Sequence, residues 1–517
     1  MLSCLNGALE YYRTTGEPRL LEACRNAWQD IVENRLYITG TASSAEYFRD
    51  DHELPNRGNV GETCVTVTWL QFNAQLLRLT GEARFANQLE RTVLNQLFGA
   101  QQPDCTAWGY YVEMEGWKPY SRTFDANCCL SSGPRGVALL PTFAATTDAD
   151  GVVVNLYTGT RAQLTLRDGT AVALAIATRY PADGAVRITV QPAQAAKFSV
   201  KLRMPEWAHG ATATINGRPA ELAIGSDDYA ALRRKWQAGD TIELRLPLAL
   251  RVVAGQHTNA GKVAFTYGPL VLAADEARLP AGSLPAIALA SADPEKLGLA
   301  REPAADGAVV FRAHALRRDP ADPLHRTTPV DLDLVPFAEA GGTGGRYQVW
   351  LPLLGAPHFN LAPLGAESRS RSAPDSAAHP ASLTDGNIYA AVTTEGGPAA
   401  AEDWFAVTLP HPAPLARIVF YHGRVAKNGG WFDTSAGQPL VQIQTQAGGP
   451  WTTVGPLTAY PATTATGHGP LGWNDRFEFN LPQPVTALAV RVIGRPAGGE
   501  KPAEAHASCG ELEWYAD

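Results

Sequence analysis

Several things are missing from these 517 residues, and each absence removes a class of protein. No stretch approaches the roughly 20 apolar residues of a bilayer-spanning helix, so no transmembrane helix is predicted and no membrane partner is expected. Lys and Arg never cluster, and 43 of them stand against 51 Asp and Glu for a formal charge of -8. A nucleic acid would find no basic footprint, and none is expected as a partner. Met1 to Arg13 lacks a basic stretch followed by a long apolar run, so it does not read as a secretory signal. An upstream segment could still carry one, which leaves the cellular address open. Seven cysteines is an odd count without the dense pairing of a disulfide-stapled scaffold. What remains is 45% hydrophobic and 18% charged, an ordinary globular balance in a chain long enough for two to four cores. Its 12 Trp, 16 Tyr and 16 Phe supply flat faces able to stack on sugars, although most such rings fill cores.

The pattern is α then β. Ala83 to Phe98 places Phe85, Leu89, Val93 and Leu97 four apart, with Leu94 beside them, which predicts one amphipathic helix. A second helix is predicted over Thr63 to Leu79, ending at Thr80-Gly81. Thr15-Gly16-Glu17-Pro18-Arg19 recurs as Thr80-Gly81-Glu82-Ala83-Arg84, so helix pairs repeat, as in an array or a closed helical ring. About five helices fit before residue 142, too few for a ring of six hairpins. After Pro141, alternating runs such as Val152 to Tyr157, Phe198 to Leu202 and Thr241 to Leu246 predict a β-sandwich, with turns at Asn216-Gly217 and Gly239-Asp240. The expected units are residues 1–141, helical; 142–364, a β-sandwich carrying an insertion or linker at about 276–328 and completed by Val349-Trp350-Leu351; and 365–517, a second all-β unit after a linker at 365–376. Strands of the last unit are predicted at Phe405 to Leu409, Arg417 to Tyr421, Val441 to Thr445, Ala489 to Ile493 and Glu511 to Tyr515.

Chemistry gathers at Glu62-Thr63-Cys64 and Cys128-Cys129. One carboxylate and three thiols suit a tetrahedral soft metal such as zinc. Neighbouring cysteines rarely bridge each other, because the bond strains the intervening peptide. On spacing alone, buried core cysteines fit equally well. Metal coordination holds a cysteine as thiolate near neutral pH and is one route to an activated nucleophile. Bond cleavage would then need an acid, and Glu46, Asp50, Asp51 and Glu53 lie in one polar loop between Gly40 and Pro55.

Together these residues resemble the β-L-arabinofuranosidases of glycoside hydrolase family 127. The resemblance is carried by Leu36-Tyr37-Ile38-Thr39-Gly40, Glu46-Tyr47-Phe48, Leu54-Pro55-Asn56, Gly61-Glu62-Thr63-Cys64, Cys128-Cys129 and Gly133-Pro134-Arg135. It continues through Arg203-Met204-Pro205-Glu206-Trp207, Trp236-Gln237-Ala238-Gly239-Asp240 and Gly268-Pro269-Leu270-Val271, covering about residues 1–275. It implies an (α/α)6 catalytic barrel, a zinc ion on Glu62, Cys64, Cys128 and Cys129, and a retaining double displacement with Cys128 as nucleophile and Glu46 as acid/base. Tyr111 matches an active-site tyrosine that would touch substrate, and the implied partner is a glycan or glycoside bearing terminal arabinofuranosyl or related residues. The family's barrel begins well upstream and contributes substrate-binding histidines there, while His52 is the only His before residue 200. The expectation is therefore a partial barrel, lacking its N-terminal part unless another segment or a second copy completes it. The expected Gly-rich segment before the acid/base reads Thr41-Ala42-Ser43-Ser44. The alternative is a catalytically inactive carbohydrate-binding or scaffold protein with a structural zinc.

The last unit resembles a discoidin-like, galactose-binding jelly roll through Leu383-Thr384-Asp385-Gly386-Asn387, Trp404-Phe405-Ala406-Val407, Ile418-Val419-Phe420-Tyr421 and Arg491-Val492-Ile493-Gly494. Trp431 and Tyr460 are candidate sugar platforms there, with buried structural roles as the alternative.

Overall fold

In the computed structural model the described residues are 1–122, 128–280, 284–303, 307–319, 321–355, 359–371, 382–396 and 398–517. The repeated Thr-Gly-Glu motif closes two helical hairpins in the same way. Helix α1 (Leu2–Thr15) turns into α2 (Pro18–Asp30) at Gly16, and α3 (Thr63–Thr80) turns into α4 (Ala83–Arg91) at Gly81. Both glycines sit at φ 72°, where a Cβ would be costly, and their N–H groups bond back to Tyr12 and Leu77 carbonyls. The threonine hydroxyls bond one turn back, to Tyr11 and Leu76, and also accept the Glu17 and Glu82 amides. A fifth helix, α5 (Cys129–Leu139), packs on α3.

Trp28, Trp69 and Phe85 form the centre of the helical core, with Trp28 edge-on to Phe85 at 4.9 Å and its indole N–H donated to buried Asn73 at 2.7 Å. The predicted helix over 83–98 is not uniform. It widens into a π-helical stretch at Thr92–Leu97, which turns both Asn95 and Gln96 inward. Asn95 exchanges hydrogen bonds with the Pro269 carbonyl and the Val271 amide, pinning the helices to a β-sheet.

The β region after residue 142 holds two separate layers rather than one sandwich. Residues 145–246 form a six-stranded and a four-stranded sheet around a core that includes Val152, Val200, Trp236 and Ile242. Within it, Asn216 and Gly217 take φ 49° and 78°, the tight hairpin their dipeptide predicts. A third sheet follows, built from Leu250–Ala254, Lys262–Tyr267, Leu270–Asp275, Phe311–Asp319 and Asp322–Pro336. One of its faces buries Ala264, Val271, Val335 and Phe337 in the helical core, and the other buries Phe265, Leu272 and Leu334 in a core of its own. The stretch expected as an insertion, 276–328, therefore contains paired strands, with Phe311 to Arg318 in register against Thr327 to Leu334. Its Ala, Pro and Asp content hides an ordinary hairpin, because the partner strand, Asp322–Pro336, runs on beyond the stretch. Leu351, expected to complete the sandwich, instead pairs with Val263 of this third sheet.

The C-terminal unit is a jelly roll dominated by two long bent strands, Asp403–His422 and Arg476–Gly494, whose register shifts let each wrap the core. Four of the five predicted strands fall inside observed ones, and the fifth, Val441 to Thr445, overruns Leu440–Gln444 by one residue. The linker expected at 365–376 begins as a strand, since Ala366–Arg369 pairs with Phe405 to Thr408, and Arg371 binds buried Asp403 at 2.6 Å. Positions 372–376 lie outside the described residues. Trp431 and Tyr460 are 2% and 3% exposed, so neither is a sugar platform. Trp431 donates its indole N–H to the Thr464 carbonyl, and the Tyr460 hydroxyl accepts the Phe432 amide.

Candidate active site

The loop after α2 is where the acid candidates separate. Ser44 pairs with both Tyr47 and Val60, and the Ala45 amide donates to the Asn59 carbonyl at 2.9 Å. Ala45 and Glu46 both take positive φ, 48° and 67°, a strained tip held by these cross-links. Asp51 is occupied by Arg35 at 2.6 Å, and the Asp50 carbonyl caps a local turn by accepting the Glu53 amide. Glu46 points elsewhere. Its Oε1 accepts the hydroxyls of Tyr110 at 2.7 Å and Tyr111 at 3.0 Å.

The two tyrosines are brought there by the segment that lies along the start of α3. The Thr63 amide donates to the Tyr110 carbonyl at 2.9 Å, the Thr63 hydroxyl to Gly109 at 2.8 Å, and Glu62 forms a bridge with Tyr111. Gly61, at φ 70°, permits this approach, since a Cβ would stand 2.4 Å from Gln96 Nε2 and 2.6 Å from the Val112 carbonyl. Buried Gln96, turned inward by the π-helical stretch, donates to Val112 at 2.8 Å and accepts the Thr39 hydroxyl at 2.5 Å.

Glu62, Cys64, Cys128 and Cys129 meet as predicted, with one ligand atom from each inside a 4.8 Å cluster. Glu62 is the N-cap of α3 and Cys128 the N-cap of α5, so all four groups surround two helix N-termini, whose partial positive charge favours anions. Cys64 Sγ lies 3.0 Å from Cys128 Sγ, 3.6 Å from Cys129 Sγ and 3.1 Å from the Ser132 hydroxyl. Cys128 Sγ is also 3.9 Å from the Tyr110 hydroxyl. Four acidic groups this close cannot all ionise unaided. Burial, then the neighbouring Cys64 and Glu46 charges, pushes Glu62 up to about 8. Thiol hydrogen bonds, from Cys129 first, draw Cys64 down to about 5, while burial and the Cys64 charge raise Cys128. Among the described residues no cysteine is in a disulfide. A dication resolves this crowding by neutralising the set. Tetrahedral bonds of about 2.3 Å space sulfurs about 3.7 Å apart, within the spread between 3.0 Å and 4.8 Å. The cluster can therefore hold a metal ion.

Two glycines of α5 set its position. A Cβ at Gly136 would stand 2.8 Å from Val67 of α3, and one at Gly133 would stand 2.2 Å from the Trp108 ring. Gly133→Ala must displace either the ring or the helix start that carries Cys128 and Cys129. A loss of about 1–3 kcal/mol, the usual cost of overpacking, is expected in the thermal unfolding of this region. An unchanged midpoint would mean that α5 shifts freely and is not positioned by this contact.

Residues 3–142 match the GH127 catalytic domain of β-L-arabinofuranosidases, and residues 151–248 match the GH127 middle domain. Residues 3–248 thus carry the catalytic and middle domains of glycoside hydrolase family 127. The non-reducing end β-L-arabinofuranosidase of Bifidobacterium longum subsp. longum is 30% identical over 299 residues, 52% of this chain and 44% of its own length. A GH127 β-L-arabinofuranosidase from Geobacillus stearothermophilus T6 superposes with a TM-score of 0.62 at 27% identity, over 68% of this chain and 60% of the other. A family 32 carbohydrate-binding module from C. perfringens, solved with galactose, aligns with 30% of this chain and 97% of its own at 19% identity and a TM-score of 0.22. The chain thus spans under half the length of the curated relative it matches.

Within this GH127 site, Tyr110, Ser132 and Gln96 are contributors that the sequence reading passes over. Tyr110 stands beside the singled-out Tyr111, their rings 4.6 Å apart, and it is Tyr110 that touches both Glu46 and Cys128. The tandem Tyr110-Tyr111 was the available signal. Ser132 had another, standing one helical turn after Cys128, with its amide bonded to the Cys128 carbonyl.

Proposed function

We propose that the chain is a retaining exo-glycosidase that releases terminal arabinofuranosyl or related residues from glycans or glycosides. Its units are residues 1–141 as the catalytic part, 142–364 with two sheet layers, and 365–517 as the jelly roll. The reading rests on one juxtaposition: the Tyr110 hydroxyl lies 2.7 Å from Glu46 Oε1 and 3.9 Å from Cys128 Sγ, so an acid and a nucleophile flank one point. Both Glu46 and Cys128 are exposed, which favours catalysis over a sealed structural metal site in a binding scaffold.

In the first step Cys128 Sγ attacks the anomeric carbon, the bond to the leaving oxygen breaks, and Glu46 gives that oxygen its proton. In the second, Glu46 takes a proton from water as the water oxygen attacks the anomeric carbon, and the carbon–sulfur bond breaks to free the sugar. Tyr110 and Tyr111 both donate to Oε1, which leaves the other oxygen of Glu46 for the substrate. Glu62, Cys64, Cys128 and Cys129 would hold zinc, which when bound keeps the thiols deprotonated near neutral pH.

Trapping tests the chemistry. Glu46→Gln with an aryl β-L-arabinofuranoside of good leaving group still forms the first bond but hydrolyses it slowly. Peptide mass spectrometry is expected to find one pentosyl group on the peptide containing Cys128. Turnover with the label on a carboxylate would replace Cys128 as nucleophile. Metal content is a separate measurement. Native mass spectrometry of the full chain is expected to show one zinc ion, lost in Cys64→Ser; a metal-free wild-type chain would reject the assignment.

A further inference from the structure

The jelly roll touches the rest of the molecule at a telling place, the loop that presents Glu46. Asp385 Oδ2 lies 3.2 Å from Arg57 Nη2, and Arg57 Nε lies 3.4 Å from Glu113 Oε2. All three side chains are nearly buried, at 7%, 10% and 11% exposure. The other oxygen of Glu113 accepts the amides of Gly58 at 3.0 Å and Asn59 at 2.8 Å. The Asn59 carbonyl then accepts the Ala45 amide at 2.9 Å, and the Gly58 carbonyl accepts the Ser44 hydroxyl at 3.0 Å. A continuous chain of polar contacts thus runs from Asp385 to the residue before Glu46.

Packing follows the same route. The Tyr389 ring lies against Gly58, where a Cβ would come within 3.0 Å of it at φ 101°. Arg49, three residues after Glu46, stacks over the Tyr389 ring, 5.2 Å from its centre. The 385–389 turn is itself anchored, since Asp385 Oδ1 accepts the Asn387 amide at 2.8 Å and buried Glu511 accepts the Gly386 amide at 2.9 Å.

We infer that the C-terminal jelly roll is a positioning part of the active site, with Asp385 holding Arg57 and Glu113 so that the 56–60 segment fixes the backbone presenting Glu46. The two rings singled out as sugar platforms, Trp431 and Tyr460, are buried, while the module's buried charge is directed at this loop. Asp385 is a positioning residue, because it acts through Arg57 and Glu113 without reaching the reacting atoms. The inference rests on the assignment of Glu46 as acid/base, and the test separates the two.

Hydrogen exchange of the full chain is compared among wild type, Asp385→Ala, the milder Asp385→Asn, and Lys501→Ala, whose exposed side chain in the same unit pairs with Glu504. The amides of Ala45, Gly58 and Asn59 are expected to exchange at least tenfold faster in Asp385→Ala, less so in Asp385→Asn, and unchanged in Lys501→Ala. Faster exchange confined to 383–390 overturns the inference, as does an equal rise in Lys501→Ala. The kinetic arm compares aryl arabinofuranosides of good and poor leaving group. Asp385→Ala is expected to lose several-fold more kcat/KM on the poor one, the bias of a misplaced acid, which general loosening of the fold would not produce. Glu46→Gln is expected to show the same bias more strongly. If Glu46→Gln lacks it, the acid/base assignment fails while the exchange result still judges the clamp; if only Asp385→Ala lacks it, the clamp fails.

Discussion

Glu46→Gln is expected to lower kcat on an aryl β-L-arabinofuranoside of poor leaving group by about 10²–10⁴-fold, the range for loss of a positioned general acid. The geometry makes the substitution clean. An amide carbonyl can still accept the Tyr110 and Tyr111 hydroxyls, now at 2.7 Å and 3.0 Å from Oε1, so the loop has no reason to move. What the amide lacks is a proton to give the departing oxygen and the basicity to take one from water. Burial and the hydrogen bonds to Glu46 keep both tyrosine hydroxyls well above their ordinary range, so neither replaces the acid. Cys128→Ser removes the thiolate and one member of the metal cluster together, and is expected to leave no measurable turnover. Steady-state rates with matched circular dichroism are the measurement. Wild-type rates in either variant would end the proposed mechanism.

The largest stability effect is expected away from the site, at Arg203. Its side chain is fully buried and its guanidinium donates to the Asn155 carbonyl at 2.6 Å, Asn87 at 2.7 Å and Glu90 at 2.5 Å. Glu90, on α4, also accepts the Tyr180 hydroxyl at 2.8 Å, so this one group joins the helices to the sandwich. Arg203→Ala leaves a buried carboxylate without its cation, a change that typically costs about 3–5 kcal/mol. The double variant Arg203→Met with Glu90→Leu is expected to recover much of that loss, because it removes both charges from the interior. Thermal and urea unfolding check both. A cost below about 1 kcal/mol in the single variant would show that water reaches Glu90, contrary to its 3% exposure.

Arg203 also illustrates what can be read before folding. Arg203-Met204-Pro205-Glu206-Trp207 is recognisable as a motif, yet its partner Glu90 is 113 positions away and unmarked in the sequence. The same holds at the site. Glu62, Cys64, Cys128 and Cys129 are legible because three thiols and a carboxyl are chemically unusual wherever they stand. Choosing Glu46 over Asp50, Asp51 and Glu53 needed a family likeness, since four carboxylates in one polar loop differ only in where the backbone points them.

Sequence alone therefore determined the local structure and the donor chemistry. Gly16 and Gly81 close the hairpins because only glycine takes φ 72° without cost, and alternating apolar residues make strands because successive side chains face opposite ways. Tertiary structure decided the rest. It turned Gln96 inward through a π-helical stretch, placed Tyr110 between acid and thiol, and split one expected sandwich into two layers. It also set Asp385 against Arg57 across 328 positions. The physical reason is common to all four: burial lets a polar or charged group persist only where distant chain segments supply its partner, and that pairing is a property of packing, not of neighbouring residues.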